Sequence, residues 1–227
     1  MIKSFLLLGF AALLYLPSSA QITYEPEEFD GISVTGNLNV ILQKGEVDKV
    51  VVDAHGIPES EVTVKVSRGV LRLKLINSIF YKDDEVDVTV TYRNLRTLKG
   101  HAGARIEADH AITGDQIYIR STSGARVHLE VAVNTIDGGA TEGGMLELTG
   151  TTEMQDASAA TGGQYQAFGL ECARSYVRAN TGGRAEVVAN DRLEASANTG
   201  GTIEYKGNPE ETTIKTIIAG NVHKAGW

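Results

Sequence analysis

Six times in the second half of this chain a glycine-led dipeptide returns at nearly constant distance: Gly103-Ala104, Gly124-Ala125, Gly143-Gly144, Gly162-Gly163, Gly182-Gly183 and Gly200-Gly201. The intervals between leading glycines are 21, 19, 19, 20 and 18 residues. A period of this size marks a solenoid, in which no repeat can bury an apolar face alone and stacking builds a continuous core.

Aligned on the leading glycine, the copies form columns. Three residues after it stand Ile106, Val127, Leu146, Tyr165, Ala185 and Ile203. Five after it stand Ala108, Leu129, Leu148, Ala167, Val187 and Tyr205. Two apolar columns two residues apart share one side of a strand and are expected to line the interior. The polar columns between them, which include Arg105, Arg126, Arg184, Glu107, Glu147, Glu186 and Glu204, should face solvent. A second strand precedes each glycine. Its residue three before the glycine is always small: Gly100, Ser121, Ala140, Ala159, Ala179 and Ala197. Such a column marks a narrow inward site, where Ala179→Leu would cost about 1–3 kcal/mol in overpacking. The leading glycine supplies the positive φ of a sharp corner.

Helical periodicity is absent after residue 20, and alternation dominates. Ahead of the repeats, Ile32-Ser33-Val34 and Val40-Ile41-Leu42 flank the turn Gly36-Asn37, and residues 62–66 and 70–75 around Ser67-Arg68-Gly69 read as a hairpin. The expected organisation is a single all-β domain, a parallel β-helix with coils of about 20 residues. Residues 24–98 form an irregular β cap, 98–205 the regular coils and 206–227 a closing C-terminal strand region. Open sheet edges at the ends of such a stack need covering.

The first twenty residues read as a signal peptide: Lys3, an apolar run from Phe5 to Leu16, then Pro17-Ser18-Ser19-Ala20 before Gln21. The expectation is export to the periplasm, the cell surface or the extracellular space, with no membrane insertion after cleavage and no lipid anchor, since Gln21 rather than a cysteine stands directly after the cleavage point. Lys3 is the only charged residue removed, so the remainder carries 20 basic and 29 acidic side chains, net −9. That balance argues against nucleic acid and anionic membranes as partners. Cys172 is the only cysteine, so the fold is held by its core rather than by internal bridges; its expected role is that of a small buried hydrophobe.

Phe29-Asp30-Gly31-Ile32-Ser33-Val34-Thr35-Gly36, the strand Val40-Ile41-Leu42 ending at Lys44-Gly45, the arm Gly69-Val70-Leu71-Arg72-Leu73-Lys74-Leu75, the spaced glycine corners and Ile203-Glu204-Tyr205-Lys206-Gly207-Asn208-Pro209 together resemble the putative auto-transporter adhesin, head GIN domain family. The resemblance covers about residues 29–224. It implies a right-handed parallel β-helix in an exported bacterial protein, with an adhesin-like role and no catalytic residues to carry over.

Candidate chemistry is thin. Glu186 and Glu204 share an outward column on neighbouring coils, about 5 Å apart, which is the carboxyl separation of a retaining glycosidase. Any solenoid with a glutamate column produces that distance, and Arg184 lies on the same face. Asp83-Asp84-Glu85 with Asp87 is the densest acidic cluster, but it lacks a calcium-loop spacing and reads as a solvated turn. His55, His101, His110, His128 and His223 show no zinc-ligand pairing with one another or with Cys172 and read as surface residues. Tyr165 and Tyr205 fall in core columns. Tyr24, Tyr81, Tyr92, Tyr118 and Trp227 are candidates for exposure, and Tyr176 lies in an outward phase.

The sequence therefore predicts no catalytic residue, no cofactor and no metal site. The leading expectation is an exported, non-enzymatic binding module of the cell envelope whose partner is an envelope protein or a glycan. The alternatives are a polysaccharide lyase or hydrolase on the same scaffold, or a purely structural envelope component. Oligomeric state is left open.

Overall fold

The structure is a computed structural model that describes residues 21–54, 57–76 and 86–226. The signal peptide, His55, Tyr81, Asp83-Asp84-Glu85 and Trp227 lie outside the described residues. Apart from one short 3-10 turn at Glu59–Glu61, the regular structure described is β. The chain winds into a β-solenoid of about 7 turns, each of about 19 residues.

Each regular coil runs along one face, turns a corner, and continues along a second. We call these the leading face, before the corner, and the trailing face, after it. Strands Ile112–Thr122, Arg126–Thr141, Met145–Ala160 and Gln164–Asn180 stack in parallel, and the later strands Arg184–Val188, Arg192–Asn198, Thr202–Lys206, Glu211–Ile217 and Asn221–Lys224 continue the pile.

The register aligns like with like. Ile106 opposes Val127, Val127 opposes Leu146, Leu146 opposes Tyr165, Tyr165 opposes Ala185 and Ala185 opposes Ile203. All six are buried. Burying each Ile, Val or Leu contributes about 1.5–3 kcal/mol, so the file is a main source of stability. The column of small residues also lies inside: Ser121, Ala140, Ala159, Ala179 and Ala197 are each fully buried. Large and small alternate across the interior. Tyr165 fills the space over Gly138, where an added Cβ would meet its Cε2 at 2.6 Å.

Two residues at every corner have positive φ. The pairs run from Ala102 and Gly103 (52° and 83°) through Thr161 and Gly162 (51° and 72°) to Thr199 and Gly200 (46° and 73°). With the bond from Gly163 N–H to Ala160 O at 2.9 Å, and its equivalents at the other corners, these are type I′ turns. A threonine at positive φ is strained. The stack holds it: the Gly162 amide donates to Thr181 O and the Gly182 amide to Thr199 O. The second glycine of each pair has a separate cause. A Cβ at Gly144, Gly163, Gly183 or Gly201 would stand 2.1–2.3 Å from a backbone carbonyl oxygen of the neighbouring coil, whereas one at Gly162 would meet nothing within 4 Å.

The region ahead of residue 98 closes the stack, and two further parallel turns lie within it. Gly31–Thr35 and Asn39–Lys44 sit directly against Thr97–His101 and Arg105–Ala108, and Gly36, at positive φ, occupies the corner position that Ala102 holds in the next coil. Val70–Leu75 and Val86–Tyr92 stack outside them. Antiparallel strands then end the pile: Val62–Ser67 on one face, Lys49–Ala54 and Gln21–Tyr24 on the other. Asp48, buried beside this end, accepts from the Arg93 amide and guanidinium and ties the two segments together.

Candidate functional site

The leading face carries continuous files of outward side chains. Four residues before each corner glycine, one file runs through Lys99, Arg120, Gly139, Ser158, Arg178 and Ser196, with Lys215 in the same file four residues before Ala219. In the other direction it extends through Ser33 and Arg72 to Lys65. Cations share this file with serine and glycine, and no acid interrupts them.

Two files flank it. On the side away from the corner, Tyr118, Asp137, Asp156, Tyr176 and Glu194 succeed one another in register. Here Arg120 donates to Asp137 Oδ1 at 2.7 Å and Arg178 pairs with Asp156. The Arg120 guanidinium also lies 3.8 Å from the Tyr118 ring centre, and Lys99 Nζ lies 5.4 Å from it. The Arg120 side chain crosses Gly139, whose added Cβ would meet Arg120 Cδ at 3.0 Å. Tyr118 and Tyr176 are thus on one file, three strand spacings or about 14 Å apart. On the corner side stand His101, Thr122, Thr141, Ala160, Asn180 and Asn198, all half-buried. A groove of about 210 Å³ opens among Tyr176, Arg178, Glu194, Ser196, Thr213 and Lys215. A larger mixed-charge cleft of about 900 Å³ lies beside the cap and includes Glu28, Asp30, Lys44, Arg96, Asp115 and Tyr118.

On the trailing face, Glu186 and Glu204 are register neighbours, as their spacing predicts. Arg184 bridges them at 2.9 Å to each carboxylate. Both acids thus bind the same guanidinium. His128 pairs with Glu147 at 3.2 Å and His223 lies 3.9 Å from Glu204. Asp87 accepts from Asn39. Among the described residues, no three His, Cys, Asp or Glu side chains converge as a metal-binding group.

Other residues singled out in the sequence are structural. Tyr92, a candidate for exposure, is buried, because it continues the inward phase of Val86, Val88 and Val90; its hydroxyl lies 3.0 Å from His110 Nε2. Burial, followed by the Asp109 charge, raises its pKa to about 12. Tyr165 is fully buried and donates to Gln155 Oε1 at 2.9 Å, while Gln155 donates to Ser175 Oγ and Ser175 to Val188 O. Burial pushes the Tyr165 phenol far up and the Cys172 thiol up. His101 is within 2.6 Å of Thr122 Oγ1, and burial, then the Lys99 charge, lowers its pKa. Sequence reasoning missed the basic file. Its signal was the column four before each glycine, where Lys99, Arg120 and Arg178 recur.

Residues 28–209 match the model of the family described as putative auto-transporter adhesin, head GIN domain. Among solved structures, a putative adhesin from Bacteroides fragilis NCTC 9343 superposes with a TM-score of 0.80 at 18% identity, covering 92% of this chain and 99% of that one. A putative adhesin from Parabacteroides distasonis ATCC 8503 gives 0.66 at 20% identity, over 90% and 96%. A putative lipid binding protein from the same strain gives 0.65 at 15% identity, over 91% and 96%. At these identities the likeness is one of fold. No curated protein matches the chain.

Proposed function

The chain belongs to the putative auto-transporter adhesin, head GIN domain family, and on that footing we propose that it is an exported, non-enzymatic binding module of the bacterial cell envelope, adhesin-like in action, whose partner is an envelope protein or a glycan. Lys3, the apolar run to Leu16 and the small residues before Gln21 support export.

The observation that carries the reading is the leading face. Its three outward files stay in register from coil to coil, on a scaffold whose interior is close-packed, so the face is preorganised and little ordering is lost on binding. Glu186 and Glu204 serve this reading as part of an ion-paired surface, joined through Arg184. The test is binding of the chain from Gln21 onward to cell-envelope fractions and to a glycan array. Saturable binding to one of them is the expected result. Failure against both would overturn it.

A further inference from the structure

Acidic side chains outnumber Lys and Arg in this chain, 29 to 21. One file nevertheless gathers six cations, Lys65, Arg72, Lys99, Arg120, Arg178 and Lys215, without a single acid. It spans nine strand spacings, about 43 Å. Composition does not supply such an arrangement, and neither does core packing, since every one of these side chains points outward.

The charge along the file is not fully neutralised from within. Arg120 and Arg178 each hold an aspartate of the neighbouring file. No carboxylate among the described residues forms an ion pair with Lys99 or Lys215. Between the cations, Gly139, Ser158 and Ser196 keep the surface low, and the groove beside Tyr176 opens where Ser196 lies between Arg178 and Lys215. Thr122, Thr141, Asn180 and Asn198 border the track with hydroxyl and amide groups.

We propose that this file is a binding track for a linear anionic polysaccharide. Carboxylates or sulfates on the polymer meet Lys99, Arg178 and Lys215, while its hydroxyls meet Ser158, Ser196, Asn180 and Asn198. A pyranose in an extended chain advances by about one strand spacing. A polymer charged on alternate sugars therefore matches Arg178 and Lys215, which stand two spacings apart with Ser196 between them. Nucleic acid fits less well. Its phosphates are denser, at about 3.4 Å per strand, and single strands are held on open aromatic rings, whereas Tyr118 is flanked by Lys99 and Arg120. This inference rests on the reading of the chain as a binding module and gives it a ligand class.

The experiment titrates the chain from Gln21 onward with hyaluronate, which is charged on alternate sugars, dextran sulfate, uncharged dextran and a DNA duplex. The proteins are the wild type, Lys99→Glu, Lys215→Glu and the control Arg126→Glu on the trailing face, each with its thermal melt recorded. The track predicts binding to one or both anionic polymers but not to dextran, weakened by salt, with a loss of about tenfold for each reversal on the leading face and no loss for Arg126→Glu. Equal losses for all three variants, no loss for any, or DNA bound as tightly as the polysaccharides would overturn it. If neither polymer binds while envelope fractions do, the track fails and the binding-module reading stands. If envelope fractions and every glycan fail as well, both fall.

Discussion

Gly162 and Gly163 are adjacent and chemically identical, yet the stack assigns them different burdens. A methyl at Gly162 enters open space, so Gly162→Ala costs only the left-handed backbone at φ 72°, about 1 kcal/mol. A methyl at Gly163 would stand 2.1 Å from Ala140 O and 2.4 Å from Ala140 C. Both are backbone atoms of the coil below, so no side chain can rotate away. The coils must separate at that corner, which strains the bond from Gln164 N–H to Gly144 O, 2.9 Å. Overpacking of this kind costs about 3 kcal/mol. The unfolded-chain entropy lost on replacing glycine by alanine is the same for both variants and cancels in the comparison. For a chain of this size 1 kcal/mol moves Tm by about 2–4 °C, so Gly162→Ala should lower Tm by about 3 °C and Gly163→Ala by about 9 °C. Thermal melts followed by far-UV circular dichroism provide the assay. Equal losses, or a larger loss for Gly162→Ala, would refute the claim that close coil-to-coil approach dictates the second glycine.

Three further outcomes follow from the interior and the leading face. Tyr165→Phe leaves Gln155 Oε1 without the donor it has at 2.9 Å, and should cost about 2 kcal/mol in urea titrations; a neutral result would contradict the buried network. Cys172 is buried, with its thiol pKa raised by that burial, so thiol reagents should label it only in denaturant, and rapid native labelling would refute its place in the core. His101 has a lowered pKa in the fold, whereas a free imidazole titrates near pH 6.5. The unfolded chain therefore takes up the proton first. The His101 contribution is complete above about pH 6.5 and is lost as pH falls toward the folded value. Stability measured from about pH 7 to pH 5 should fall more steeply in the wild type than in His101→Gln; identical slopes would remove His101 from the account.

What could be read from the residues was whatever repeats locally. The glycine period gives the coil, and the columns three residues to either side of the glycine, with Ile106 and Ala179 as members, are inside as their spacing requires. Less visible was anything that depends on a distant partner. Alternation in Gly31–Thr35 looks the same whether the strand pairs in parallel or antiparallel, and its neighbour Thr97–His101 lies far along the chain. Gln155 was hidden for a different reason: a glutamine reads as outward until Tyr165 and Ser175 are seen to satisfy it inside. The second glycine was visible as a pattern, but its cause lies in the carbonyl of the coil below. The basic file was readable in principle. Lys99, Arg120 and Arg178 share a column, but Gly139, Ser158 and Ser196 break it into what looks like scattered surface charge until Ser33, Arg72 and Lys65 are stacked onto the same line.

Coils that lie in register put Lys99 and Lys215 on one line. Six strand spacings separate them, about 29 Å. Spin labels at Lys99→Cys and Lys215→Cys, with Cys172 replaced by alanine, measure that span in solution by pulsed dipolar spectroscopy. Labels on one face point the same way, so a narrow distribution centred near 29 Å is the expected result. A broad distribution, or one centred below about 20 Å or above about 40 Å, would contradict the stack and the track that runs along it.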